Sequence, residues 1–292
     1  MTTRRSAGSV QSSYTDAMPD CRFEEVSARV DRFTPDERTD RPVLGAIRGT
    51  AGTLIVDGGA SPAHLGAFAA ELAARDRPPI IGIALTHWHW DHSFGSAAID
   101  VPVIACEKTA AGVAIQAAYD WSDAALEQRV RDGLELEFSL PHIREELPDR
   151  SELRIVVPQV TFAESHKVDL GETTVELRWV GGDHADDSVV VWEPKDRVLF
   201  LGDALYQCLW GDPVYLTIAG TRALLDRLAA FDPAYALEGH DENVADAAAY
   251  ASRLSELRAA CRLVEELGEA AVAAAGQDAD LVETVGYLLA GR

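Results

Sequence analysis

The sequence predicts a mixed α/β fold, in which a β-sheet core is covered by helices. Short apolar runs typical of buried strands occur in both halves of the chain. Segments with apolar residues at helical spacing lie between these runs and after them. A length of 292 residues and a hydrophobic content of 47% suit one large domain with a sizeable core. These values exclude a wholly disordered chain, a collagen-like repeat and a small disulfide scaffold.

The first half alternates predicted strands with one clear helix. Apolar runs predict strands within residues 23–33, 44–49, 52–59, 80–85 and 101–106. Pro62 opens a helix that extends to about residue 75, because proline suits the first turn of a helix. Leu65, Phe68 and Leu72 follow at helical spacing, which gives this helix one apolar face.

The second half begins with a helical, acidic segment at about 107–150. This segment is too long for a simple connection, so it is predicted to be a lid insertion. Strands are expected at 174–180, 188–192, 198–201 and 234–237, with a helix at 221–231. The alanine-rich tail, about 243–292, is predicted to be a helical extension packed on the body, because its apolar residues share one face. Residues 1–20 are polar and aperiodic and are expected to be a disordered tail, so the single domain is predicted to span 21–292.

Charge and cysteine usage restrict the partners and the location. The chain has 48 acidic and 26 basic residues, and its net charge of −22 repels phosphate backbones and anionic membranes. The four cysteines, Cys21, Cys106, Cys208 and Cys261, have no CxxC spacing, which indicates free thiols in a reducing compartment. The sequence has neither a signal-peptide pattern nor an apolar stretch long enough to span a membrane. We therefore expect a cytoplasmic protein that binds neither nucleic acid nor membranes.

The strongest chemical signal is the segment THWHWDH at residues 86–92, which has the pattern HxHxDH. It places three of the eight histidines within six residues, directly after a predicted buried strand. His87 and His89 are two apart, so they project to the same side of an extended segment. Asp91 and His92 follow a turn later, and imidazole and carboxylate groups are common zinc ligands. The motif can therefore serve two adjacent metal ions, and a merely solvated polar loop is the less favoured alternative.

Further ligand candidates follow other predicted strands. His184 comes after the strand at 174–180, Asp203 after that at 198–201, and His240 after that at 234–237. Each lies within two residues of a glycine, and their common placement strengthens a prediction that each residue alone would not support. The three remaining histidines are expected to be surface or incidental residues: His64, His142 and His166.

In this order, HxHxDH, a later His, Gly-Asp and Gly-His, the chain resembles the metallo-β-lactamase superfamily from about residue 52 to 240. The resemblance implies an αββα sandwich with the site at one edge, extended here by the helical lid insertion and the C-terminal helices. It implies two Zn²⁺ ions per chain, and iron or manganese would also fit. By this resemblance His87, His89 and His184 bind the first ion, Asp91, His92 and His240 bind the second, and Asp203 bridges them. Asp57 of LIVDGG corresponds to an aspartate that supports the ligands from behind.

Asp91 and Tyr206 are the predicted catalytic residues. Tyr206 follows Asp203 at the offset found in the acyl-homoserine lactonases of this superfamily. Its phenol would donate a hydrogen bond to a developing oxyanion, although an aromatic wall residue is an equally good interpretation. Cys208, nearby in sequence, is expected to be a structural buried thiol.

The chain departs from the family pattern around the third histidine, where the segment reads GGDHADDS. Asp183, Asp186 and Asp187 add negative charge there. The tryptophans of the motif, Trp88 and Trp90, either pack beneath the loop or wall the substrate pocket. The same two interpretations apply to a set of aromatic residues in and beyond the insertion: Tyr119, Trp121, Phe138, Trp210 and Tyr215.

These features predict a zinc-dependent hydrolase whose metal-bridging hydroxide attacks the carbonyl of a small ester, thioester, lactone or amide. The partner is a small-molecule substrate, and the sequence leaves a homodimer open. A β-lactamase is less favoured because such enzymes are usually exported, and a nuclease because of the net charge. Flavin-linked di-iron members have glutamate in place of His89, whereas single-iron oxidoreductases need only the first-site ligands. A metal-free scaffold is the remaining alternative, although scaffolds of this family usually lose ligands.

Overall fold

The computed structural model describes residues 21–292 as two β-sheets with helices on their outer faces. The predicted tail at 1–20 lies outside the described residues. The strands are β1 (Phe23–Glu25), β2 (Val30–Phe33), β3 (Leu44–Gly49), β4 (Gly52–Val56), β5 (Ile80–Ala84), β6 (Val103–Cys106), β7 (Val160–Phe162), β8 (Ser165–Asp169), β9 (Thr174–Trp179), β10 (Val189–Glu193), β11 (Val198–Gly202), β12 (Tyr235–Glu238) and β13 (Ala245–Asp246). The α-helices are α1 (Pro62–Ala74), α2 (Trp90–Ser93), α3 (Glu107–Ala117), α4 (Asp123–Arg131), α5 (Ser139–Glu146), α6 (Ile218–Leu228), α7 (Ala247–Leu267), α8 (Ala271–Ala274) and α9 (Ala279–Ala290). Over 21–292, no helix is long and apolar enough to cross a membrane.

Each sheet contains parallel strands that end at the same edge. The first sheet has the order β1-β2-β3-β4-β5-β6-β7, and the strands from β4 to β7 are parallel. The second has the order β13-β12-β11-β10-β9-β8, and β11 and β12 are its parallel pair. Parallel neighbours place their carboxyl ends side by side, which is where the predicted ligands follow in the sequence.

The two sheets pack face to face, and helices cover the outer face of each. The layer between the sheets contains apolar residues of both, including Ile47, Leu54 and Phe200. Helices α1 and α3 cover the first sheet, and α6 and α7 cover the second. Each helix buries one apolar stripe against the outer face of a sheet. Two sheets packed together with helices on both outer faces form the αββα sandwich expected from the sequence.

The observed elements differ from the predicted ones mainly at the sheet edges. The predicted strand at 23–33 is two strands, β1 and β2, separated by a turn. The edge strands β7, β8 and β13 were not predicted. Strand β8 has residues that alternate between exposed and half-buried, so it lacks the apolar run that marks a buried strand.

The segment 107–150 forms α3, α4 and α5 and has a small apolar core of its own. Trp121, Leu126 and Ile143 pack there against Trp90 and Phe94, which lie close to the HxHxDH segment. This insertion is therefore ordered against the residues that follow β5.

A buried ion pair fastens the insertion to the sandwich. Nε of Arg41 lies 2.8 Å from Oε2 of Glu146, and the two side chains are 5% and 1% exposed. The hydroxyl of Ser61, which caps α1, donates to the other carboxylate oxygen of Glu146. One carboxylate at the end of α5 thus joins three separate parts of the chain.

We expect Glu146→Ala to lower the free energy of unfolding by about 3–5 kcal/mol, because it leaves the Arg41 guanidinium buried and uncompensated. Chemical denaturation measures this change. Glu265→Ala is the matched control, because Glu265 pairs with Arg222 on the surface, where both side chains are more than a third exposed. Its cost should be about 0–1 kcal/mol. Equal costs for the two variants would contradict a fastening role for the buried pair.

Candidate metal centre

The HxHxDH segment follows β5 and is held by the aspartate that follows the neighbouring parallel strand. The backbone N–H of Asp57 donates to the carbonyl of Ala84 over 2.8 Å, which continues the pairing of β4 with β5. Oδ1 of Asp57 accepts from the backbone N–H of Thr86 at 2.7 Å, and Oδ2 accepts from the Thr86 hydroxyl at 2.9 Å. The segment therefore leaves the sheet in a fixed direction.

The second sheet supplies the remaining candidates at the same edge. His184 follows β9, Asp203 follows β11 and His240 follows β12. The backbone N–H of Gly239 donates to the carbonyl of Gly202 over 2.9 Å, so Asp203 and His240 leave a parallel pair side by side. Residues far apart in sequence thus converge because the strand ends do.

The structure brings all seven predicted ligands together in two adjacent groups. In each group the candidate ligand atoms lie within 4.8 Å of one another. The first group is His87, His89 and His184, and the second is Asp91, His92, Asp203 and His240.

Oδ2 of Asp203 lies between the two groups. It is 3.4 Å from Nε2 of His184 and 3.9 Å from Nε2 of His87, both of the first group. It is also 3.4 Å from Nε2 of His92 and 3.5 Å from Nε2 of His240, both of the second. This central position is the geometry expected of a carboxylate that bridges two ions.

Contacts on the far side of the rings orient the histidines. Nδ1 of His92 lies 2.8 Å from Oδ2 of Asp57, and Nδ1 of His87 lies 3.1 Å from the Thr86 hydroxyl. In both rings Nε2 therefore faces the centre. Partners of this kind fix the tautomer and the ring orientation of metal-binding histidines.

Two further neighbours of the histidine rings were not predicted from the sequence. Nδ1 of His184 lies 3.1 Å from the carbonyl oxygen of Gln207. Nδ1 of His240 lies 3.7 Å from Oδ1 of Asp40, a residue with a left-handed backbone (φ 56°). A backbone carbonyl has no sequence signature. Asp40 lies far from every ligand in the chain, so only the fold brings it to His240.

The donor atoms have the properties of a metal centre. Nε2 of His87 and Oδ1 of Asp203 are buried without a hydrogen-bond partner, and Nε2 of His92 lies 3.0 Å from Oδ2 of Asp91. A buried polar atom left unpaired costs about 1–3 kcal/mol, and metal coordination would remove that cost. Five imidazoles and two carboxylates form a donor set suited to zinc or iron. The residues present therefore fit a dinuclear metal centre.

The electrostatics of the cluster favour the metal-binding protonation states of the first group's histidines and of both carboxylates. Burial lowers the pKa of His87 and lowers that of His89 to about 3, so both rings are neutral near pH 7. Burial opposes ionisation of Asp91 and Asp203, but the nearby His92 ring outweighs it and holds both carboxyl pKa values well below their usual range. Neutral imidazoles and ionised carboxylates are the ligand forms. Burial opposes protonation of His92 and His240, but the nearby carboxylates outweigh it and raise the pKa of both rings well above its usual range, so metal binding would displace a proton from each.

Tyr206 lies over the cluster. Its ring centroid is 6.1 Å from that of His184 and 6.3 Å from that of His240. The phenol oxygen accepts a hydrogen bond from the backbone N–H of His240 at 3.3 Å, which leaves its own O–H free to donate. Burial raises the pKa of Tyr206, so the phenol keeps its proton at neutral pH.

A cavity of about 1640 Å³ opens above the ligands. Trp88 and Trp210 line it and stack on each other, with ring centroids 6.4 Å apart, and Phe138 lines it from the insertion. Trp90 also lines the cavity but is only 4% exposed and lies against Phe94, whereas Trp88 is half-buried, so the two tryptophans of the motif differ in exposure. The other aromatic candidates lie outside the lining: Tyr119, Trp121 and Tyr215.

The extra acidic residues beside His184 have separate environments. Asp183 accepts hydrogen bonds from the backbone and hydroxyl of Thr217 at the start of α6, both at 2.8 Å. Asp186 pairs with Lys108 at the surface. Asp187 is buried, and this burial raises its pKa to about 7. Much of the unusual charge of this segment is therefore paired or suppressed.

His64 was expected to be a surface or incidental residue, and the structure contradicts the first of these alternatives. Its side chain is fully buried and lies beside the Phe33 ring. His64 precedes Phe68 by four residues on α1, which places both side chains on the inward face of the helix. The cysteine prediction holds for the described residues, in which all four cysteines are free and Cys208 is buried.

Comparisons with known proteins agree with this geometry. Residues 44–240 match a family model described as the metallo-beta-lactamase superfamily. A search of curated protein sequences found no significant match.

Solved structures share the fold at low identity. The metallo-beta-lactamase from Pontibacter korlensis is 19% identical with a TM-score of 0.57, and the alignment covers 80% of this chain and 97% of that one. The metallo-beta-lactamase from Hirschia baltica is 15% identical with a TM-score of 0.54, over 82% and 97%. A stereoselective inverting sec-alkylsulfatase from Pseudomonas sp. is 15% identical with a TM-score of 0.63, over 93% of this chain and 49% of that one.

We expect Gly239→Ala to disrupt the second ligand group, because a Cβ at this position would overlap with Oδ1 of Asp203 and crowd the His92 ring. The measurement is zinc stoichiometry and affinity by calorimetry, with weaker or lost binding of one ion. Gly286→Ala on α9 is the control, because nothing lies within 4 Å of its added Cβ. That variant should bind zinc normally and gain about 0.5–1 kcal/mol of stability from helix propensity. Unchanged zinc binding by Gly239→Ala would contradict the role of the close approach.

Proposed function

Because the chain belongs to the metallo-beta-lactamase superfamily, we propose that its seven converging ligands hold two metal ions for the hydrolysis of a small carbonyl substrate. The single observation that best supports this is the position of Oδ2 of Asp203 between two complete ligand groups. The proposed substrates are an ester, thioester, lactone or amide, and the proposed metal is zinc.

In this proposal His87, His89 and His184 hold the first ion. Asp91, His92 and His240 hold the second, and Asp203 contacts both. Bound zinc would supply Lewis acidity and lower the pKa of water towards about 7. Asp57 fixes the direction of the His92 ring through its 2.8 Å contact.

Tyr206 is proposed to stabilise the charge that develops on the substrate carbonyl oxygen. The hydrogen bond from the His240 backbone N–H fixes the phenol oxygen and leaves its proton available for donation. The raised pKa keeps that proton in place at neutral pH. A donor fixed in advance and aimed at developing charge needs no reorganisation during the reaction.

We further propose that 21–292 works as one catalytic domain in the cytoplasm and that the segment 107–150 acts as a lid. Phe138 and Ser139 of this segment line the cavity, and the Arg41–Glu146 pair anchors its end. The lid would set the shape of the cavity and exclude bulk water from the ligands.

The complete second ligand group argues against the alternatives. A single-iron oxidoreductase needs only the first group, and a scaffold needs neither. A buried ligand atom without a partner, such as Nε2 of His87, has a destabilising cost that metal binding would remove.

The proposed reaction is tested with zinc-loaded protein and a panel of an ester, a thioester, a lactone and a β-lactam. We expect hydrolysis of at least one carbonyl substrate, two zinc ions per chain, and loss of activity to background in His87→Ala. Zinc should also raise the unfolding temperature of the metal-free protein. Activity that survives His87→Ala, or one iron per chain without zinc, would overturn the proposal.

Tyr206→Phe should lower kcat about 10²–10³-fold, because it removes one donor to the developing oxyanion, while zinc content stays at the native level. Tyr250→Phe is the control, because the buried Tyr250 hydroxyl bonds to the carbonyl of Leu228 in the layer under α7. Steady-state kinetics on the best substrate measure both variants. An unchanged kcat in Tyr206→Phe would remove the proposed role of the phenol.

A further inference from the structure

The cavity above the ligands has a strongly negative lining. Fourteen carboxylate side chains line it, against three guanidiniums. This ratio far exceeds that of the whole chain, which has 48 acidic and 26 basic residues. Two divalent ions carry four positive charges, which would offset the charges of the ligand carboxylates Asp91 and Asp203 and of two other carboxylates. The lining would therefore remain negative with both metals bound.

The lining carboxylates come from separate parts of the chain and surround the opening. Glu37 precedes β3, Glu137 belongs to the insertion, Asp212 lies in the loop after β11, and Asp280 begins α9. Within 21–292, none of these four forms an ion pair with lysine or arginine. Their charges therefore act on whatever enters the cavity.

The basic residues of the lining offer little to an anion. Arg22 is paired with Glu242 at 2.9 Å, and Arg38 is paired with Asp36 at 3.4 Å. Recognition of a carboxylate, sulfate or phosphate group usually needs an available bidentate arginine or a lysine. Among the basic residues of the lining, this leaves Arg253 to bind an anionic group, and many carboxylates line the same cavity.

Closer to the ligands the excess of negative charge continues. Glu135, from the insertion, is half-buried and lines the cavity. The Asp203 carboxylate also lines the cavity, is 5% exposed and has one oxygen, Oδ1, without a hydrogen-bond partner, which marks the cavity as a site for a ligand and not merely an acidic surface.

Aromatic side chains complete the recognition surface. Trp210 is 40% exposed and Phe138 is 54% exposed, and both line the cavity. Trp88 stacks against Trp210 and lies beside His89, with ring centroids 4.9 Å apart, so the aromatic wall leads down to the ligands. The faces of tryptophan and phenylalanine attract ammonium groups, most strongly for tryptophan.

We propose that this site takes a cationic substrate, an ester or related acyl compound with an ammonium group, and discriminates against substrates with a carboxylate or sulfate. The carboxylate ring attracts the cation, and the Trp88–Trp210 wall contacts its alkylammonium group. This inference rests on the proposed hydrolytic function but can fail independently of it.

The test uses three 4-nitrophenyl esters with acyl groups of similar shape and different charge. They are the esters of 4-(trimethylammonio)butanoate (cationic), 5,5-dimethylhexanoate (neutral) and glutarate (anionic). At low salt we expect kcat/KM for the cationic ester to exceed that for the neutral ester about 10-fold, and that for the anionic ester about 100-fold. The preference should largely disappear in 1 M NaCl, where the Debye length is about 3 Å. An equal or reversed order at low salt would overturn the inference and leave the hydrolytic function standing.

Charge variants locate the effect in the cavity. The double variant Glu137→Gln with Asp280→Asn should reduce the cationic-to-neutral ratio of kcat/KM several-fold. Glu265→Gln, which changes the net charge outside the cavity, should leave this ratio unchanged. An equal loss in both would mean that the overall charge of the protein, and not the cavity, sets the preference.

Binding provides a readout that does not depend on catalysis. Benzyltrimethylammonium should quench tryptophan fluorescence of the zinc-loaded protein at a concentration at least 10-fold lower than phenylacetate does, and Trp210→Leu should weaken this effect. If no ester is hydrolysed but this order holds, the hydrolytic function fails and the charge selectivity stands. Equal or reversed binding of the two probes would overturn the selectivity.

Discussion

The site depends on the convergence of four histidine side chains on one carboxylate, that of Asp203. Oδ2 of Asp203 lies 3.4–3.9 Å from ring nitrogens of four histidines. Such crowding requires short, rigid connections, which the parallel pair β11 and β12 provides. Gly239 allows the Asp203 carboxylate to approach the backbone where any side chain would block it. The site thus requires the strand ends and their glycines.

The αββα sandwich meets this requirement because both sheets present parallel strand ends at one edge. The first sheet contributes Asp57 and the HxHxDH segment after β4 and β5, and the second contributes Asp203 and His240 after β11 and β12. A hydrogen bond from the backbone N–H of Val189 to the carbonyl of Thr86, 2.7 Å long, joins the two sheets beside the site. The positions of the candidate ligands therefore depend on the packing of the two sheets.

Elements outside the central sandwich define what reaches the ligands. The insertion 107–150 and the C-terminal helix α9 both contribute side chains to the cavity wall. Their carboxylates and the aromatic wall give the cavity a character that the ligands alone do not have. The fold and the candidate ligands therefore support a class of reaction, whereas discrimination among substrates would come from the surrounding segments.

The sequence by itself predicted the fold class and identified all seven residues that the structure brings together. It could do so because strand apolarity and the HxHxDH spacing are local patterns, and each further candidate is marked by a glycine at a strand end. Edge strands such as β8 escaped prediction because their burial is too weak to leave an apolar run. Only the tertiary structure decided that Asp40 lies beside His240 and that the Gln207 carbonyl contacts His184. It also decided that Trp88 and the more deeply buried Trp90 both line the cavity and that His64 lies in the interior. The negative lining of the cavity could not be predicted from the sequence either, because its carboxylates belong to segments that are far apart in the chain and are brought together only by the fold. Local spacing encodes the ligands, whereas their surroundings arise from packing between segments far apart in the chain.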